Sequence, residues 1–247
     1  MSSGANTGPI PSNSSEAHKR ALSALAAEGR LFADALIASP ASAERLMQAT
    51  SSLRALRESL PVRDFIDGVH IAEAAMATEA SGQEFFAAQS PIFGFANITA
   101  PPISLAVVGD HTEASCTFGV LYEGPPGHLH GGWTAAVFDE VLGLVQSLTG
   151  KPGMTGRLEI SYRRPTRLHV PINFFGYIER VEGRKIYTFG HSVDSETGEM
   201  LAEAKGLFIS IEFDRFTSPT RPGGLGHIVP KAKLLENVSA DSKTEHS

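Results

Sequence analysis

GPPGHLHGGWTAAVFDEVLGLVQSL, residues 124–148, reads as a tight turn feeding a buried helix. Pro125, Pro126 and Gly127 bar regular structure ahead of it, because proline lacks an amide donor and glycine costs backbone entropy. Gly131 and Gly132 let the backbone turn tightly into Trp133. From there Trp133, Val137, Val141, Leu144 and Leu148 recur at helical spacing, while Phe138, Leu142 and Val145 fall on the other side. A helix that is apolar almost all round belongs in a core. Two carboxylates, Asp139 and Glu140, lie inside this segment. Burying a charge is costly unless it is paired or hydrogen-bonded. A carboxylate here either caps an amide or meets an arginine, which is the expectation for Glu140, or it is tuned inside an apolar pocket, which is the expectation for Asp139.

Outward from this helix the pattern changes to period two. Ile103 to Val108 and Ala114 to Tyr122 read as strands joined by a turn at Gly109-Asp110. After the helix, Gly150, Pro152 and Gly153 turn the chain into Met154 to Arg163, His169 to Val181, Arg184 to Asp194 and Met200 to Phe213. Leu158, Ile160 and Tyr162 alternate with Arg157, Glu159 and Ser161. Val181 to Arg184 and Ser195 to Gly198 read as hairpin turns. Two strands, one long buried helix and four strands with hairpin-length links predict a mostly antiparallel sheet in an α+β layer arrangement.

Upstream, Glu16 to Ala38 reads as a helix with Leu22, Leu25, Phe32 and Leu36 as its apolar positions. Ser39-Pro40 resembles an N-cap followed by proline at the first helical position, opening a second helix that Pro61 stops after Leu60. Asp67 to Ala88 is expected to be helical in part. These extra N-terminal helices are expected to pack on the main domain or on a neighbouring subunit. Arg20, Arg30, Arg45, Arg54 and Arg57 read as solvated helix faces. The organisation is therefore a disordered tail over 1–15, a helical extension over 16–89, the α+β domain over 90–213 and a loose tail over 214–247.

With 42% hydrophobic and 19% charged residues, the 247-residue chain has globular composition and material for a sizeable core. A formal charge of −6 argues against a nucleic-acid partner, since phosphate binding wants a basic face. No apolar run is long enough for a membrane span, and the first fifteen residues lack the apolar core of a signal peptide. The single cysteine, Cys116, excludes an intramolecular disulfide and fits a reducing, cytoplasmic compartment. The nucleophile elbow, the dinucleotide fingerprint and the phosphate-loop pattern are all absent from the sequence.

The run YEGPPGHLHGGWTAAVFDEVLG followed by GMTGRLEISYRRPTRL closely resembles the thioesterase-superfamily hotdog proteins. Its nearest branch is the phenylacetate-type (PaaI-like) acyl-CoA thioesterases and their animal relatives. The resemblance spans about Ile98 to Ile211 and implies a hotdog fold, a mostly antiparallel sheet wrapped around one long helix. It also implies that His130 and Gly131 form the oxyanion-hole turn, that Asp139 is the catalytic acid and that Thr155 assists the attacking water. The family places a small or aliphatic residue where this chain has Trp133, a departure that reshapes the acyl pocket.

The chemistry supports those roles on physical grounds. A helix N-terminus presents unpaired amides and partial positive charge, and Gly131 has no side chain to block a carbonyl from its amide. A donor fixed at the developing oxyanion is worth about 3–4 kcal/mol in the transition state. His130 holds the turn through its ring or polarises the thioester carbonyl. Gly132 serves the turn or the substrate. Asp139 acts as general base on a water or attacks the carbonyl to give an anhydride. Thr155 orients the water or is a threonine at a strand end.

Gly131 and Asp139 are eight residues apart on one helix, about 12 Å along its axis. If both act on one thioester they come from different subunits, so the expected assembly is a homodimer or a dimer of dimers with a composite site. Arg163, Arg164, Arg184 and Lys185 are the candidate contacts for the CoA phosphates, with Arg157 weaker. His128-Leu129-His130 offers no third ligand at metal spacing, so neither metal nor cofactor is expected. Cys116 reads as a small core residue. The leading expectation is a cytoplasmic acyl-CoA thioesterase. The alternatives are a hotdog dehydratase or hydratase, and a non-catalytic acyl-CoA sensor or scaffold.

Overall fold

The computed structural model describes residues 16–60, 88, 90–151 and 153–210. Helices α1 (Glu16–Ile37) and α2 (Ala43–Ser59) precede β1 (Ser104–Val108) and β2 (His111–Thr117). A single 3-10 turn (Val120–Tyr122) leads to α3 (Gly131–Ser147). Strands β3 (Gly153–Tyr162), β4 (Pro171–Glu182), β5 (Lys185–Asp194) and β6 (Met200–Ser210) follow. All pairings are antiparallel, in the order β1-β2-β4-β5-β6-β3. All six strands touch α3. This is the hotdog arrangement, and it agrees with the fold expected from the sequence.

The α3 pattern explains the packing. Val137, Phe138, Val141, Leu142 and Val145 have no exposed surface. They meet the inward residues of the sheet, among them Ile172, Phe174, Ile186 and Phe208. Phe138 stands edge-on to Phe174 with ring centroids 5.3 Å apart. The helix lies close to the sheet because glycines clear its path. Gly176 on β4 pairs with Gly190 on β5. A Cβ on Gly176 would sit 2.9 Å from Val141 Cγ1, and one on Gly190 would sit 3.1 Å from Leu142 Cδ2. The buried Thr112 hydroxyl donates to the Val141 carbonyl at 2.9 Å, pinning the helix to β2. That depth sets where Gly131 and Asp139 emerge from the core.

Several boundaries differ from the expected ones. The second strand ends at Thr117, and Val120–Tyr122 is a 3-10 turn rather than its continuation. The fourth strand starts at Pro171, because His169 takes φ 61° and spends its N–H on the Phe118 carbonyl, outside the ladder. Ser42, not Ser39, caps α2, accepting from the Arg45 amide at 3.3 Å. Ser39 Oγ instead closes a local turn onto the Ala41 amide. In α1 most of the leucine and phenylalanine stripe does not dock: Leu25, Phe32 and Leu36 are exposed, Leu22 is half-buried, and Ala26 is the buried position. Arg30 is not a solvated face residue, since its guanidinium donates to the Asn97 carbonyl at 3.3 Å. The segments 1–15 and 214–247, and Asp67 to Ala88 apart from Ala88, lie outside the described residues.

Candidate functional site

The turn ahead of α3 is held by its own backbone. Gly124 N–H donates to the His128 carbonyl at 2.9 Å, His128 N–H to the Pro125 carbonyl at 2.8 Å, and His130 N–H to the Tyr122 carbonyl at 2.9 Å. The Glu123 carboxylate accepts from the Gly127 amide at 2.6 Å. His130 then caps α3. Its Nδ1 accepts from Gly132 N–H at 3.0 Å and its carbonyl from Trp133 N–H at 2.9 Å. An accepting Nδ1 places the neutral ring's proton on Nε2. Two of the first amides of the helix are thereby used, and Gly132 has no donor left for a substrate. Nothing among the described residues accepts from Gly131 N–H. The positive end of the helix is focused on that open donor. Tyr162, not singled out as a site residue from the sequence, donates to the Gly131 carbonyl at 2.7 Å and fixes the peptide from β3.

The second cluster lies further along α3. Thr155 Oγ1 donates to Asp139 Oδ1 at 2.8 Å. Asp139 is half-buried, on the side of α3 that faces β3. β3 is the last strand of the sheet, mostly exposed, with its outer edge unpaired among the described residues. Among the described residues Glu140 neither caps an amide nor meets an arginine. Among those residues its carboxylate accepts one side-chain hydrogen bond, a long one of 3.5 Å from Ser90 Oγ. Burial pushes its carboxyl up to about 7, the Asp139 charge adds to the rise and the Ser90 contact opposes it. Ser90 also accepts the Ile92 and Phe93 amides, so this hydroxyl ties Glu140 to the loop before β1.

The structure brings Asp139 to Thr155 and His130 to Gly132. It leaves Gly131 and Asp139 on one helix, about 12 Å apart along the axis. The four candidate cations also separate. Arg163 and Arg164 bond through their amides to the Leu201 carbonyl, whereas Lys185 pairs with Ile209. Those positions on β6 are eight residues, about 27 Å, apart. Arg163 binds Glu203 at 2.6 Å and Arg164 meets Glu199 at 3.5 Å. Arg184 Nε donates to the Ser210 carbonyl, and neither Arg184 nor Lys185 closes an ion pair among the described residues. Trp133 packs edge-on against Tyr122, ring centroids 5.0 Å apart. Cys116 is buried, and burial pushes its thiol up to about 12. Among the described residues no three His, Cys, Asp or Glu side chains gather as a metal site, and no helix is long and apolar enough to cross a membrane.

Residues 126–201 match the sequence model of the thioesterase superfamily. A crystal structure of a thioesterase superfamily protein is 30% identical, with a TM-score of 0.62. The alignment covers 76% of this chain and 94% of that one. The chain belongs to the thioesterase superfamily. Curated relatives of this thioesterase-superfamily chain include the acyl-coenzyme A thioesterases THEM4 of Bos taurus, 36% identical, and THEM4 of Xenopus laevis, 32% identical. The matches cover 42% and 39% of this chain and 43% and 44% of those relatives, so the chain spans less than half of their length. The superfamily match contains the Gly131 turn, Asp139, Thr155 and Tyr162. It excludes α1 and Ser90, whose contacts no local motif announces.

Proposed function

We propose that this chain hydrolyses acyl-CoA thioesters, with Asp139 as general base or nucleophile and Gly131 N–H as oxyanion donor. The observation that carries the reading is the Thr155–Asp139 hydrogen bond beside an open strand edge. A carboxylate held there, half-buried and with no cation paired to it among the described residues, can take a proton from water as the water oxygen attacks the thioester carbon. The carbonyl oxygen gains charge, the C–S bond breaks and CoA leaves as its thiol. The names of the curated relatives support the substrate class.

The site is shared between two copies. On β3, Tyr162 marks the Gly131 end and Thr155 the Asp139 end. A two-fold axis across this edge near Leu158 and Glu159 pairs those ends antiparallel. One protomer's oxyanion donor then lies beside its partner's Asp139. The same operation brings Arg163 and Arg164 of one copy toward the end that carries Arg184 and Lys185 in the other. Arg184 and Lys185, which close no ion pair among the described residues, are the better phosphate contacts.

The test is thiol release from short, long, branched and aromatic acyl-CoAs, with Asp139→Asn alongside. Turnover by the native chain and none by the variant is the expected result. Saturable binding without turnover would instead make the chain an acyl-CoA sensor.

A further inference from the structure

Helix α1 lies outside the superfamily match, yet it touches the machinery through one carboxylate. Asp34 Oδ1 accepts from Leu121 N–H at 2.7 Å, across 87 positions of sequence. The next residue, Tyr122, gives its carbonyl to His130 N–H at 2.9 Å and packs its ring against Trp133. His130 is the cap whose ring holds Gly132 and leaves Gly131 N–H open. Asp34, Leu121, Tyr122 and His130 thus form an unbroken path from α1 to the oxyanion donor.

The local sequence is fitted to this docking. The Asp34 carboxylate lies where a side chain on residue 119 would be: a Cβ on Gly119 would come within 2.8 Å of Asp34 Oδ2. One α1 turn earlier, Gly29 clears the Ile98 side chain, and Arg30 donates to the Asn97 carbonyl at 3.3 Å. The face of α1 that docks is therefore Ala26, Gly29, Arg30 and Asp34, with Leu25, Leu31 and Leu36 exposed and Leu22 half-buried. A helix retained only for hydrophobic burial would dock the leucines instead.

We infer that Asp34 is a positioning residue, clamping the Leu121–Tyr122 turn so that Gly131 N–H is held where the oxyanion forms. This rests on the thioesterase reading above. Because the donor acts on charge present only in the transition state, loosening it lowers kcat and leaves KM almost unchanged.

Three variants of the 247-residue chain test this: Asp34→Ala, Asp34→Asn, which keeps a neutral acceptor for Leu121, and Asp34→Ser, too short to reach it. The last replaces the first should Asp34→Ala not fold. Kinetics on an acyl-CoA that the native chain hydrolyses are read beside the emission of Trp133, the one tryptophan in the chain. The expected result for Asp34→Ala is a kcat lowered about 10- to 100-fold, KM within about twofold of native and a shifted Trp133 emission. Asp34→Asn should recover most of the loss. A native kcat in Asp34→Ala, even with a lowered melting temperature, would overturn the inference, as would equal losses in Asp34→Asn or an unmoved Trp133 emission. If the native chain hydrolyses no acyl-CoA, the thioesterase reading fails, and the Trp133 emission alone decides whether the clamp exists.

Discussion

Thr155 Oγ1 and Asp139 Oδ1 lie 2.8 Å apart, joining the third residue of β3 to the middle of α3. The hydroxyl donates to the carboxylate, so its own lone pairs remain to accept from a water. Asp139→Asn is expected to lower kcat by about 10²- to 10⁴-fold, the usual contribution of a positioned base. Thr155→Val, nearly isosteric, should lower it roughly 10- to 100-fold by releasing water and carboxylate from one geometry. If the two residues act as a unit, the double variant is no slower than Asp139→Asn alone. Multiplied losses in steady-state assays would show that they act separately.

A shared site has an arithmetic signature. Asp139→Asn removes the proposed base, and Gly131→Val crowds the proposed oxyanion donor, where a Cβ already comes within 3.2 Å of the Tyr162 hydroxyl. Each homodimer should be inactive. Refolding an equimolar mixture gives half mixed dimers, each with one site that has both native residues. About a quarter of native activity should therefore return. Sites confined to one protomer would return none.

Much of this molecule could be read before its structure. The all-round apolar run of α3 gave its burial, and the alternation around Leu158 and Ile160 gave β3. What escaped depended on contacts distant in sequence. The run Ala114 to Tyr122 reads as one strand, but Asp34 of α1 holds the Leu121 amide and Val120–Tyr122 forms a 3-10 turn instead. The leucines of α1 suggested its docking face, whereas Gly29 and Asp34 decide it through Ile98 and Leu121. The Tyr162–Gly131 bond spans 31 positions and follows from no spacing rule. His130 is different: a ring two residues before Gly132 can cap locally, and its Nδ1 does accept the Gly132 amide.

The glycine path beneath α3 makes a stability prediction. A methyl at Gly176 would fall 2.6 Å from Thr112 Oγ1, 2.9 Å from Val141 Cγ1 and 3.2 Å from the Val141 carbonyl. Two of those atoms belong to the buried helix and the third to the hydroxyl that pins it. Gly176→Ala is therefore expected to destabilise by roughly 1–3 kcal/mol through overpacking, read as a lower urea midpoint with unchanged slope. An unchanged midpoint would mean that α3 can lift from the sheet without cost.

Glu140 links the same helix to pH. Its carboxyl is pushed from 4.5 to about 7, first by burial and then by the Asp139 charge. A carboxyl raised in the folded state favours the protonated folded form. The sign is thus that its burial costs nothing below about 4.5, where folded and unfolded chains are both protonated. The cost grows as pH rises between about 4.5 and about 7, and is full above that, on the order of 3 kcal/mol. Glu140→Gln removes the ionisation while keeping shape and an acceptor for Ser90. Its melting temperature should exceed native at pH 8 and converge on it toward pH 5. Parallel melting curves across that range would place the Glu140 titration outside it and leave the Ser90 contact as a neutral tether.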